Sequence, residues 1–530
     1  MDLAPTPHGV EAVVSGEAPN GFRGALRSVL PQERFGDHLA ILAGTGQNIA
    51  GLVVFVVASL GANIVISRGL GPSALGVVTL ATQFAFIGGA ATRFGMDMAA
   101  TRLVAIDVGR DAAGRARPVV LRAAAVAAVV SGVVAVAAFF GAGSLARAFG
   151  GGPGARAAFR GAAVALPFVA LTQVYLGGTR GLKIMRHTLY VYWSGQPLAW
   201  VVLMVAGWAV SKTVGVSVLA YAGSWIGATA AAWFFWERET KDLSPLPAEP
   251  GEVRELVRYG APRAPAALLS QLLFWTDYFV FSRYAKGPEL GVYAAAVRVA
   301  QALMLFLIAV NYMFSPFVAD LHSRGQRDRL DSLYKALTRW MLAGTIPLLL
   351  LLLIAPQPVL QVFGSKFSTG TTPIRILLVG QAVNVAVGSV GFILIMVGRT
   401  GWDLVVYAAS FLVDLGVAFA LAPHLGARGA AIAQATTMVV SNVSRLYLVW
   451  RFVHIQPFNR NYFRLAIPAT ACAAAMAAVH LVASKGSWPV DLVATALAGT
   501  LAYATVLLAA GLTPTEKATV SQVWRRNAGT

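Results

Sequence analysis

Charge is what this 530-residue sequence has least of: 12% of its residues are Asp, Glu, Lys or Arg, against a hydrophobic content of 57% and a mean hydropathy of +0.67. A water-soluble chain carries about twice that share of charge, so a soluble globular protein is excluded. Cysteine is almost absent. The single Cys472 lies in an apolar segment, which rules out a disulfide framework and reads as a small core residue. Catalytic signatures are missing too. No G-x-x-x-x-G-K-[ST] loop is present to cradle ATP, and no H-E-x-x-H or Cys/His cluster to hold a metal, so neither cofactor nor metal is expected. Ser332-Leu333-Tyr334-Lys335 matches S-x-x-K but lacks its companion motifs. The run Gly150-Gly151-Gly152-Pro153-Gly154 reads as an outward loop, not a phosphate cradle. Alternating ten-residue strands, the mark of a membrane barrel, do not occur.

What the chain does have is long apolar blocks, each near the 20 or so residues that span hydrocarbon as a helix. Fourteen spans are expected, at about 41–67, 75–95, 118–140, 160–178, 188–210, 215–236, 260–282, 289–317, 339–358, 373–398, 402–422, 426–449, 463–483 and 489–511. Residues 1–36, with Pro5, Pro7, Gly9 and Pro19, read as a flexible tail and not as a signal peptide. The net charge of +19 would suggest nucleic acid in a soluble protein. Here the arginines lie between spans, so membrane lipids are the expected partner and nucleic acid is not. With the N-terminus inside, inward segments hold 30 Lys and Arg and outward loops 11, leaving Arg298 inside a span. That bias places both termini in the cytoplasm.

The chain also repeats. Ser67-Arg68-Gly69-Leu70-Gly71-Pro72-Ser73-Ala74-Leu75-Gly76-Val77 returns as Ser282-Arg283-Tyr284-Ala285-Lys286-Gly287-Pro288-Glu289-Leu290-Gly291-Val292. Leu145-Ala146-Arg147-Ala148-Phe149-Gly150 returns as Val359-Leu360-Gln361-Val362-Phe363-Gly364 at nearly the same shift. Six spans separate equivalent points, so the copies share one orientation and are related by a pseudo-two-fold along the membrane normal. The expected organisation is all-α: a tail at 1–36, six-helix bundles at 37–236 and 259–455, a cytoplasmic linker at 237–258, two additional helices at 456–515 and a tail at 516–530. Two like bundles around a midplane site are what alternating access requires.

Residues 67–77, the Met96-Asp97 pair with the basic loop 110–117, Thr276-Asp277-Tyr278-Phe279, the stretch Leu290-Gly291-Val292-Tyr293-Ala294-Ala295-Ala296, and Ser315-Pro316-Phe317 together resemble the Wzx-type flippases. These are polysaccharide and oligosaccharide-lipid members of the multidrug/oligosaccharidyl-lipid/polysaccharide exporter superfamily. The resemblance covers about residues 40–450. It implies two six-helix lobes around a V-shaped cavity, and movement of polyprenyl-pyrophosphate-linked glycans from the inner to the outer leaflet of the bacterial plasma membrane. It also implies a role in exopolysaccharide or O-antigen synthesis, with polysaccharide polymerase and glycosyltransferases as candidate partners. The related lipid II flippases carry a cavity arginine set that has no clear match here.

Ionisable groups inside spans are costly and mark candidate sites. Arg298 lies mid-span, where a fixed guanidinium suits a bidentate grip on phosphate or pyrophosphate. Gln301 shares its helix face, and Gln83 is its repeat partner. A buried Arg298–Asp277 pair is the plainer alternative. Asp277 is the first candidate for coupling to protons or cations, with a structural carboxylate as its alternative, and Asp414 is the second candidate. Arg93, with Asp97, suits an inner vestibule that meets a phosphate head, or snorkels to the interface. Gln381 stands with Asn48, Gln173, Asn384 and Gln434 as amides that line a sugar-binding cavity or tie helices together. Segment 327–339 reads as an interfacial elbow. Two other functions compete with the flippase: an ion-coupled drug exporter of the same superfamily, which prefers acidic cavities, and a membrane glycosyltransferase or ligase. The enzyme needs loop carboxylate pairs that the short outward loops lack.

Overall fold

Hydrocarbon forces each spanning segment to satisfy its own backbone hydrogen bonds, and the computed structural model of the chain is helical with no strand among the described residues. Those are residues 35–244, 246–247, 251–261 and 264–512, with side chains from Val53 onward except at nine positions between 305 and 320. The expected tails, apart from residues 35 and 36, and the side chain of Asn48 lie outside them. Apart from four short ones (Ala142–Ala148, Arg186–Thr188, Pro356–Gln361 and Arg460–Phe463), the α-helices in chain order are α1 (Phe35–Leu70), α2 (Pro72–Thr92), α3 (Met96–Gly109), α4 (Ala116–Phe140), α5 (Ala155–Gly181), α6 (Gln196–Trp208) and α7 (Val214–Thr240). There follow α8 (Glu252–Gly260), α9 (Ala264–Leu272), α10 (Thr276–Ser282), α11 (Glu289–Gln301), α12 (Met304–Ser323), α13 (Arg327–Ile354) and α14 (Thr371–Val387). The last are α15 (Val390–Met396), α16 (Thr400–Leu425), α17 (Ala427–Val453), α18 (Ala466–Ala483) and α19 (Trp488–Val506).

Among the described residues 11 segments are long and apolar enough to cross a membrane, so this is a multi-pass membrane protein. The other three expected spans are helical but differ in kind. Stretch 260–282 is divided into α9 and α10 by a break at 273–275, and stretch 289–317 into α11 and α12 at 302–303. Helix α17 is continuous but carries Arg428, Gln434, Asn442 and Arg445, which lower its apolar character. The expected elbow at 327–339 is instead the opening of α13, a single helix of 28 residues. Nothing between Arg327 and Pro347 breaks a helix, and Leu330 and Tyr334 are buried.

Helix α5 packs against α2, α3, α4 and α7, and α6 against α7. Alanines on α5, among them Ala158, Ala162 and Ala165, are buried at these contacts, since small side chains let membrane helices approach closely. Further along, α16 pairs with α17, α17 with α14 and α14 with α13. The two groups meet where α11 lies on α2. Helices α18 and α19 form a hairpin against α13. It is fastened by the Tyr503 hydroxyl donating to the Ala343 carbonyl (2.8 Å) and by Arg339 reaching the carbonyls of Asn461 (3.1 Å) and Gly511 (2.5 Å).

The α2–α11 contact is made by repeat-equivalent residues. A Cβ at Gly76 would lie 2.9 Å from the Gly291 nitrogen, and one at Gly291 would overlap the Pro72 carbonyl oxygen. Equivalent residues that touch must lie beside the axis relating the copies. The Tyr278 hydroxyl also crosses this seam to the Gly76 carbonyl (2.9 Å). Around the same end, Arg68 donates to the Val362 carbonyl (2.7 Å). Gly291→Ala is therefore expected to prise α11 from α2 at about 1–3 kcal/mol of overpacking. It should lower the melting temperature of the purified protein while helical circular dichroism persists. An unchanged melting temperature would show that the seam is not tight.

Candidate functional site

A cavity of about 370 Å³ opens beside the seam. Helix geometry sets its position. Gln83 and Arg298 each follow the touching glycines by seven residues, two turns or about 10 Å along α2 and α11, so both face the chamber from repeat-equivalent places. Gln301 joins them on the next turn of α11. Three residues singled out in the sequence thus share one wall.

Among the described residues, Arg298 is the only charged one lining the chamber. Its guanidinium carbon lies 4.7 Å from the centre of the Trp275 ring, a cation–π contact that fixes its plane. Its Nε has no hydrogen-bond partner among the described residues. No Arg298–Asp277 pair forms; Asp277 accepts from the Tyr293 hydroxyl instead. The Arg298 fork is therefore oriented and partly unsatisfied, the condition in which it can take an anion bidentately.

The rest of the wall is aromatic and amide: Phe55, Phe86, Tyr192, Trp193, Trp200, Tyr221, Trp225 and Phe274, with Asn63, Gln196 and Gln271. A π-helical stretch, Leu189–Gly195, presents Tyr192 and Trp193 ahead of α6, and such bulges re-aim side chains at functional sites. Trp193 meets Phe55 edge-on at 5.1 Å, and the Trp200 indole donates to the Ser217 carbonyl (3.0 Å). Gln196 donates to the Ser224 hydroxyl (3.0 Å). Flat rings that stack on the C–H faces of a sugar, with amides for its hydroxyls, make this chemistry suited to a glycan. Sequence reasoning missed these residues. The spacing Trp193, Gln196, Trp200 and the pair Tyr221, Trp225 place them on common helix faces, which was the available signal.

Asp277 and Asp414 lie outside the chamber wall but come together. Both are fully buried. Asp414 interacts electrostatically with Asp277 and approaches the Thr437 hydroxyl. Asp277 Oδ1 and both Asp414 carboxylate oxygens have no well-formed hydrogen bond among the described residues. Four elements build this cluster: α10, α11 through Tyr293, α16 and α17. Gln381 is buried elsewhere, on α14, and accepts from Asn384 (3.4 Å). Arg93 stands at the far end of α2, paired with Asp97 at 3.3 Å. Nearby, the α8 helix docks at Gly95 through Gly260, with Glu252 paired to Arg122.

The family model described as polysaccharide biosynthesis protein matches residues 41–322. No curated protein matches the chain. Among solved structures, the chain is similar to the lipid II flippase MurJ in an inward closed conformation, with a TM-score of 0.68 and 14% identity over 86% of this chain and 96% of that one. It is also similar to an inward-facing multidrug resistance transporter of the MATE family of the MOP superfamily, with a TM-score of 0.61 and 15% identity over 76% of this chain and 94% of that one. A MATE protein in a bent conformation gives a TM-score of 0.54 and 17% identity over 83% and 98% of the two chains.

Proposed function

The chain belongs to the polysaccharide biosynthesis protein family, and on that premise we propose that it flips a polyprenyl-pyrophosphate-linked oligosaccharide from the inner to the outer leaflet of a bacterial plasma membrane. One observation carries the reading: the sole charge among the described residues of the chamber wall is a stacked guanidinium, set among aromatic rings and side-chain amides. Arg298 holds the pyrophosphate, Gln83 and Gln301 assist it, and the rings and amides take the first sugars. Arg93 lies at the end from which the headgroup enters. The bundles rock about the Gly76–Gly291 seam to expose the chamber to each leaflet in turn. A chamber of about 370 Å³ sits at the small end of ligand sites, so the bundles part further to admit the glycan. No bond of the cargo is made or broken, and the protein acts as a carrier, not an enzyme. Asp277 and Asp414 form the coupling site, exchanging a proton or cation as the bundles move. Lys and Arg counts of 30 inward and 11 outward support cytoplasmic termini.

A drug exporter of the same fold is the second reading, favoured by the likeness to MATE transporters. It fits the chamber less well, because a cationic drug gains nothing from Arg298 and no carboxylate lines the wall among the described residues. Reconstituted vesicles separate the two. A polyprenyl-pyrophosphate glycan with a fluorescent sugar is expected to become accessible to an impermeant quencher only in vesicles that contain the protein, while a cationic dye stays put. Movement of the dye alone would overturn the flippase reading.

A further inference from the structure

A second basic site lies at the end of the molecule where the seam is closed. A surface pocket of about 490 Å³ is lined by Arg147, Arg156 and Arg160 together with Gly151, Gly152 and Gly154. We infer that this pocket binds the phosphate group of a lipid as it stands in the outer leaflet.

Sequence, geometry and charge each contribute. No Asp or Glu occurs between Asp111 and Glu237, and the pocket is lined by residues 146–160 alone, so its lining supplies no carboxylate to neutralise the arginines. None of the three takes part in an ion pair among the described residues. Three like charges on one rim repel unless an anion sits among them. Two are nonetheless held in place. Arg147 donates to the Ser144 hydroxyl (3.1 Å), and Arg160 lies over the Phe139 ring at 5.3 Å. The loop between them turns through positive φ at Gly150, Gly151 and Gly154, and Gly151, Gly152 and Gly154 line the pocket without side chains to fill it. It leads into α5, whose 27 residues point their positive end at the rim. The anion contacts thus come from side chains, with the glycine loop as the floor and not as a phosphate cradle. Phe139 and Phe140 are exposed beside the pocket, as suits a site at the level of lipid headgroups.

The role rests on the flippase reading. A pyrophosphate released by Arg298 toward this end would meet three further guanidiniums before it diffuses away. Bilayer phospholipid offers the same chemistry, so the test separates the two sources. The probe is farnesyl pyrophosphate, titrated into protein held in phosphatidylcholine nanodiscs, where both faces are accessible. The Arg298→Ala background removes the chamber's contribution. Adding Arg147→Gln, Arg156→Gln and Arg160→Gln to that background is expected to weaken binding about tenfold or more, with the loss shrinking as salt rises. Equal affinity in the two proteins would overturn the inference. If phosphatidylglycerol in the disc displaces the probe only where the arginines are intact, a bilayer lipid is the resident. If it does not, the released cargo is. Arg298→Ala protein that still flips glycan but keeps the tenfold difference would sink the chamber reading and leave this one standing.

Discussion

Arg298→Ala is expected to reduce flipping of a polyprenyl-pyrophosphate glycan by about 100-fold while leaving the protein folded and, if anything, harder to unfold. The two halves of that expectation come from different physics. Removing one partner of a desolvated, hydrogen-bonded charge pair costs about 2–5 kcal/mol, which spans rate losses of about 30-fold to several thousandfold. An arginine at mid-bilayer depth also costs about 2.5–3.5 kcal/mol on insertion scales, so its loss should not destabilise the apo protein. Arg298→Lys sharpens the test. Lysine keeps the charge but loses the fork and the stack on Trp275, and it should recover only part of the rate. Initial rates of leaflet exchange in vesicles, read beside melting temperatures, check both halves. A rate unchanged in Arg298→Ala, or one lost in step with the melting temperature, would reduce Arg298 to a packing residue.

Eleven of the expected spans and the sequence repeat were legible because both leave local marks: uninterrupted apolar runs, and a recurring Leu-Gly-Val after a Gly-Pro. The helix breaks were not. No glycine or proline marks 273–275 or 302–303, and the first break is supported by tertiary contact. It frees the Phe274 carbonyl, which accepts from the Gln434 side chain (3.3 Å) on α17. A buried carbonyl left open by a break needs such a partner, and a partner 160 residues away cannot be read from the local pattern. Segment 327–339 misled for the opposite reason. Its amphipathic face fits an interfacial helix, but that face is buried by α14 and α15 neighbours such as Val387, whose carbonyl accepts from Tyr334 (2.6 Å). In the site, Arg298 and the glutamines stood out because polar residues are rare in apolar runs. The aromatic wall did not, since tryptophan and phenylalanine in a membrane helix look alike whether they face lipid or a chamber.

Asp277 and Asp414 lie 137 positions apart in the chain, and their meeting carries the second large effect. Two ionised carboxylates side by side in a low-dielectric interior need a proton or a cation between them. Tyr293 satisfies only one of the four oxygens. If that shared proton or cation moves with the rocking bundles, a potential of 100 mV contributes about 2.3 kcal/mol per charge, or about 50-fold in driving force. Asp277→Asn combined with Asp414→Asn should therefore erase the stimulation of flipping by an imposed proton or sodium gradient. Exchange without a gradient should remain, because Arg298 and the chamber wall are untouched. The amide at position 277 can still accept from Tyr293, so folding should survive, and neutral residues at this depth insert more readily. The measurement is the ratio of flipping rates with and without the gradient. A ratio that stays high in the double variant would mean the two buried acids hold helices together and the energy enters elsewhere. A ratio that falls to one while the gradient-free rate holds would assign the coupling to this pair, separate in space and in chemistry from Arg298 and the chamber wall.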